Sequence, residues 1–271
     1  MVSQVVVFAA QGDPRRSMSL LWREKSGDRI KKGPGPKPGL SVDLIVETAI
    51  SLADERGLPA LSMRSVGESL GRTAMALYTY VPSKTELLDL MYDSVHAELP
   101  VRYDTGAGWR AALTEWAEDL WRFYLRHPWV LQVSQARPVL GPHEYAGLDA
   151  VLGIVTETGM AARRIPPTIG VLFHFVKGAA RNVAEARQAG QLTGVSDEDW
   201  WFPRSAMLDE VAPDFEARFP VVAKLASEGA FDVDHDSEGS YLEREGRQAF
   251  EAGLVLVLDG LEKAAERGPA T

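Results

Sequence analysis

The sequence contains no cysteine. Disulfides, cysteine-ligated zinc and cysteine nucleophiles are therefore excluded. Long apolar runs are missing too. The longest near the start, residues 5–10, is far too short to span a bilayer, and no basic segment precedes it as in a signal peptide. Nothing else resembles a membrane span, so the expected location is the cytoplasm, with no membrane partner. Serine, histidine and aspartate are all present, but no nucleophile elbow or comparable arrangement brings them together. The run Gly33-Pro34-Gly35-Pro36-Lys37-Pro38-Gly39 lacks the Gly-Lys-Ser/Thr ending and preceding strand of a phosphate-cradling loop. Asp232, Asp234, Asp236 and Glu243 partly match a calcium loop, but Ser237 stands where the sharp turn requires glycine. A solvated acidic loop is the simpler reading. The sequence therefore assigns no catalytic residue, no metal ligand and no cofactor, and it predicts that the protein is not an enzyme.

Against these absences stands a chain of 271 residues, 45% hydrophobic and 25% charged, the balance of a soluble protein with a sizeable core. The net charge of −9 speaks against nucleic acid if taken as a sum. Its distribution speaks differently. Residues 15–40 carry eight basic side chains (Arg15, Arg16, Arg23, Lys25, Arg29, Lys31, Lys32 and Lys37) against the two acids Glu24 and Asp28. An acidic body with one basic arm is compatible with DNA, because the field at the contact surface matters more than the total. Residues 1–40 read as a flexible basic arm, since the Gly-Pro run holds neither helix nor central strand. Met18 is a second candidate initiator.

From Ser41 onward the period is helical. Leu44, Ile45, Ala49, Leu52 and Ala53 recur at three- and four-residue spacing behind the Ser41 cap, and Gly57 ends the run. The rest also reads as helices: 109–126, stopping before His127-Pro128; a short one over 128–137; 142–158, ending at Gly159; a long one from Pro166-Pro167 to about 188; two around 205–211 and 215–227; and a last one over 241–266.

Residues 61–81, LSMRSVGESLGRTAMALYTYV, carry the function. Ser62 caps a short helix with Val66 and Leu70 inward. Gly71 breaks it, and Thr73 caps a second short helix with Leu77 inward. Two short helices about a glycine turn form a helix-turn-helix, whose second member can enter a major groove. Ser62, Arg64, Tyr78 and Lys84 suit phosphates; Thr73, Ala74, Thr79 and Tyr80 suit base edges; Arg72 suits either. The alternative for this stretch is an ordinary helical hairpin; the Tyr78–Lys84 context and the basic arm favour DNA.

Leu61-Ser62-Met63-Arg64, Leu70-Gly71, Leu77-Tyr78, Val81-Pro82-Ser83-Lys84 and Leu87-Leu88-Asp89 together resemble the DNA-binding domain of the TetR family. More weakly, Arg126-His127-Pro128-Trp129 and the stretch from Phe250 to Leu261 resemble the subfamily whose C-terminal domain is like that of the tetracycline repressor. The resemblance implies an all-α protein: an arm over 1–40, a three-helix helix-turn-helix domain with linker helix over 41–100, and a larger helical bundle for ligand binding and dimerisation over 101–271. It implies phosphate contacts by Tyr78 and Lys84. It further implies a repressor released from double-stranded operator DNA by a small molecule. The 167–188 helix and the last helix carry apolar faces with the small residues Gly178, Ala179 and Ala252, which suits a homodimer paired through these two long C-terminal helices. No acceptor for tetracycline and its magnesium is recognisable. Trp116, Leu120, Phe123, Gln132, Gln135, His174 and Lys177 are the candidate ligand contacts; aromatics at helical spacing are otherwise plain core. A competing reading is a DNA-binding protein controlled by a protein partner, which a collapsed core near Trp116 and His174 would favour.

Overall fold

The computed structural model describes residues 7–23, 39–231 and 240–266. The basic side chains Lys25, Arg29, Lys31, Lys32 and Lys37 and the acidic Asp232, Asp234 and Asp236 lie outside the described residues.

The architecture is all-α. Helix α2 (Val42–Arg56) starts on a Ser41 cap and ends at Gly57. Helices α3 (Met63–Leu70) and α4 (Ala74–Tyr78) follow, each capped as their sequences foretell: the Ser62 hydroxyl accepts from Ser65 N and that of Thr73 from Ala76 N. Helix α5 (Lys84–His96), capped by Ser83, is buried along nearly its whole length, Asp89 and Asp93 included. It packs on α2 and leads into the body. The body is built on α6 (Trp109–Arg126), α7 (Pro142–Thr156), α8 (Ile165–Thr193) and α12 (Tyr241–Glu266), with α8 lying against the other three. Helices α9 (Asp197–Val211), α10 (Phe215–Arg218) and α11 (Pro220–Ser227) form an excursion between α8 and α12 that leaves Trp200, Phe202, Val211 and Val221 exposed.

Three expectations are corrected. Residues 7–23 are not an arm. Strand β1 (Val7–Phe8) pairs in parallel with β2 (Val133–Ser134), and α1 (Pro14–Leu21), capped by Asp13, packs on α5. This segment buries Ala9 and Leu21, which gives it apolar area to set against its ordering entropy. Residues 128–137 do not form a helix; a 3₁₀ turn over Pro128–Gln132 gives way to β2, because Val133 and Ser134 find a strand partner far away in sequence. And α8 runs through Gly190 to stop at Gly194, whose φ of 72° supplies the left-handed turn.

The tight turn of the helix pair rests on steric room. A Cβ at Gly67 would lie 2.8 Å from the Arg72 carbonyl oxygen and 3.3 Å from Ala74 N. Both are backbone atoms of the turn into α4, so the clash cannot be relieved by a side-chain swing. Gly71 then closes α3 with φ of 63°. Gly67→Ala is expected to destabilise the chain by about 1–3 kcal/mol and to weaken DNA binding by reorienting α4, whereas Ser69→Ala on the exposed face leaves both near wild type. Thermal melts and a DNA titration of the two variants check this.

Candidate nucleic-acid interface and effector cavity

Burial of Leu77 sets the orientation of α4. With that side chain fully enclosed, the residues around it face out: Thr73, Met75, Tyr78, Thr79 and Tyr80 are exposed, and Ala74 is half-buried against the core. Ser62, Arg64, Arg72 and Lys84 are exposed as well. All nine predicted DNA contacts thus lie on α3, α4, the turn between them, the segment after α4 and the first turn of α5. The guanidinium of Arg64 is paired with Glu68 at 2.8 Å in full solvent exposure. Such a pair contributes little and exchanges readily for a phosphate. Met75, 74% exposed, was not among the predicted contacts. The signal was present: it sits about 200° around the helix from Leu77, so an inward Leu77 turns Met75 outward. A long apolar side chain there suits a thymine methyl.

The body holds a cavity of about 400 Å³, open to solvent on one side, between α5, α6, α7 and α8. Of the predicted ligand contacts, Trp116, Leu120, Gln135 and His174 line it. Three others are elsewhere. Phe123 is buried in the core, its ring 5.0 Å from that of His96. Gln132 borders a separate small depression with Pro128 and Arg181. Lys177 spends its ammonium on the carbonyl of Val133 at 3.0 Å, and burial lowers its pKa to about 8. Sequence reasoning missed the lining from α5 and α7: Tyr92 and His96, and Glu144, Tyr145 and Leu148. Both helices read as head-linking or plain core, and only the packing shows that their faces converge.

Polar groups around the cavity are mostly committed. Gln135 Nε2 donates to the Tyr124 hydroxyl at 3.4 Å, and its amide also bonds the hydroxyl of Tyr92. Glu144 accepts from Leu140 N at 2.6 Å; burial pushes its carboxyl above the usual range. Burial likewise raises the Tyr92, Tyr103 and Tyr124 hydroxyls, keeping them neutral.

Head and body meet at a buried histidine. His127 places Nδ1 2.8 Å from Asp54 Oδ1 on α2 and Nε2 3.2 Å from Glu98 Oε2 just beyond α5. Trp129 Nε1 donates to the same Asp54 oxygen at 2.8 Å. Burial opposes charge on the ring, but the bonds to Asp54 and Glu98 outweigh it and raise the pKa. Since the folded value lies above the unfolded one, this contribution is complete below about pH 6.5 and disappears as pH rises through the folded pKa. Urea unfolding from pH 6 to 9 is therefore expected to show a loss of stability in wild type that His127→Gln lacks; parallel curves for the two proteins would contradict it.

A helix pair with an outward-facing second helix, joined through one buried helix to a hollow helical body, defines a helix-turn-helix regulator with a sensing domain. The comparisons agree. Residues 45–91 match "Bacterial regulatory proteins, tetR family", and residues 102–265 match "Tetracyclin repressor-like, C-terminal domain". The chain belongs to the tetR family, and it is a DNA-binding transcriptional regulator. It is 40% identical over 255 residues to the HTH-type transcriptional repressor DrrR1 of Streptomyces coeruleorubidus, spanning 94% of this chain and 87% of that protein. It is 28% identical to an HTH-type transcriptional regulator of Saccharopolyspora erythraea, over 86% of this chain and 92% of the relative. Among solved structures, ActR of Streptomyces coelicolor in complex with actinorhodin shares the fold with a TM-score of 0.66 at 24% identity, covering 87% of this chain and all of that one. BioQ with its double-stranded DNA operator gives 0.53 at 19% identity, over 83% of this chain and 99% of its own. No helix among the described residues is long and apolar enough to cross a membrane.

Proposed function

We propose that this regulator is a homodimeric repressor whose head, about residues 41–100, holds operator DNA and whose body, residues 101–271, releases it when a small molecule fills the cavity. The observation that carries the reading is the position of α5. Its first turn presents Lys84 beside the helix-turn-helix, and its last turns, with Tyr92 and His96, form a wall of the cavity. A ligand pressing on that wall acts on the helix that carries the head. An open cavity lined by Trp116 and His174 supports a small-molecule effector over control by a protein partner alone. That ActR is known in complex with actinorhodin, and BioQ with its operator, supports both halves of the reading.

In this assignment Ser62, Arg64, Tyr78 and Lys84 hold phosphates, Thr73, Ala74, Thr79 and Tyr80 meet base edges together with Met75, and Arg72 serves at the junction. The first turn of so short a helix buries little, so two heads on successive major grooves are needed for specificity. Pairing of α8 and α12 with a second copy provides them. Val171 on α8 and Val255 and Leu256 on α12 are exposed apolar side chains that such pairing would cover.

Salt-titrated binding to DNA taken from directly upstream of its own gene tests the reading. Wild type is expected to bind tightly, with affinity falling steeply as salt rises. Lys84→Ala is expected to lower the slope of log affinity against log salt by about one, and adding Tyr78→Ala to weaken binding to every sequence alike. Absence of binding both to that DNA and to any member of a random-sequence selection would overturn it.

A further inference from the structure

We propose that the cavity selects a planar aromatic ligand bearing a hydroxyl group, and that His96 Nε2 accepts the hydrogen bond from that hydroxyl. This rests on the cavity being the effector site.

The tautomer follows from the backbone. His96 Nδ1 lies 2.6 Å from the carbonyl oxygen of Tyr92, one turn earlier on α5. A carbonyl only accepts, so Nδ1 carries the hydrogen. Burial holds the ring's pKa down at about 4, so the imidazole is neutral at physiological pH and its second nitrogen bears a lone pair. Nε2 has no bonding partner among the described residues, and it is not among the sealed unsatisfied atoms. The ring lines the cavity. An acceptor therefore faces the ligand space.

The other polar groups there do not compete well. Glu144 is engaged by the backbone of residues 139–141, and Gln135 by Tyr92 and Tyr124. His174 lines the cavity too but is exposed, so a ligand bonding to it competes with water. The remaining surface is apolar, with aromatic rings beside aliphatic side chains: Trp116 and Phe173 meet edge to face at 5.2 Å, with Tyr103 and Tyr145 nearby and Leu120 and Leu148 between the helices. Such walls accept a planar ring system. An unmet nitrogen in such a site penalises a ligand of equal shape that cannot donate. A carboxylate gains nothing from a neutral acceptor.

Calorimetric titration of the full chain with 2-naphthol, 2-methoxynaphthalene and naphthalene tests this directly. Wild type is expected to bind 2-naphthol roughly tenfold or more tightly than either compound lacking the donor. His96→Phe, which keeps a ring of similar size, is expected to bring the three to equal affinity, and His96→Gln, whose amide carbonyl can accept, to restore part of the preference. Equal affinities in wild type, a preference for 2-naphthol that survives in His96→Phe, or no binding of any of the three would overturn the proposal. The wild-type comparison decides even where His96→Phe does not fold. Operator titration of the same preparations separates the two readings: an inert helix-turn-helix strikes the regulator reading, whereas active DNA binding beside an indifferent cavity strikes this one.

Discussion

Carboxylates at the join between head and body each accept hydrogen bonds from a segment distant in sequence, and the arrangement of the parts depends on them. Asp89 on α5 takes the amide of Ala10, 79 residues away. Asp93, one turn on, takes the amides of His143 and Glu144 at the start of α7. Asp54 on α2 takes His127 and Trp129. Apolar packing of helix on helix is non-directional and tolerates small slides. A largely buried carboxylate does not, because losing its donor costs its desolvation with nothing in return; bonds to a charged group are worth about 1.5–3 kcal/mol each. Burial raises the Asp89 pKa despite the bond from Ala10. These contacts fix the register in which α5 crosses from head to body.

The consequence is mechanical. The segment that holds Asp89 continues into α1 and then to Trp22, whose Nε1 donates to the Leu140 carbonyl at 3.0 Å and whose ring lies 6.3 Å from that of Tyr145. Arg23 pairs with Asp43 on α2. Leu140 and Tyr145 border the cavity. The cavity rim, the linker helix and the first head helix are thus tied by one short stretch of chain as well as by α5 itself. The rim is therefore joined to the head along two stretches of chain, α5 and residues 10–23, and both carry directional hydrogen bonds beside apolar packing.

How much of this was legible in the sequence follows from the range of each interaction. The helix-turn-helix was readable almost to the residue, because caps, the Gly71 turn and the inward positions of Val66 and Leu77 are all local. The long helices α6, α8 and α12 were readable from apolar period and from Pro and Gly at their ends, except that α8 passes through Gly190. What failed was non-local. Nothing in Val5 to Ala10 announces a strand whose partner is Val133, and the Gly-Pro run after it invited a disordered reading of the whole stretch. The cavity was half legible: Trp116, Leu120, Gln135 and His174 were found from α6, the loop after it and α8, but Tyr92, His96 and Glu144 emerge only when α5 and α7 are packed against them. Met75 was passed over, although the position of Leu77 already turned it outward.

The central claim is that filling the cavity weakens the grip of the head on DNA, and it can be tested without knowing the ligand. Gly170 borders the cavity, and a Cβ built on it meets nothing within 4 Å. Gly170→Phe would place a ring in that space. The operator affinity of this variant, measured against wild type with folding confirmed by thermal melting, is predicted to fall by about five- to a hundredfold, the usual range of coupling between such sites. A folded Gly170→Phe protein that binds operator as tightly as wild type would contradict the account.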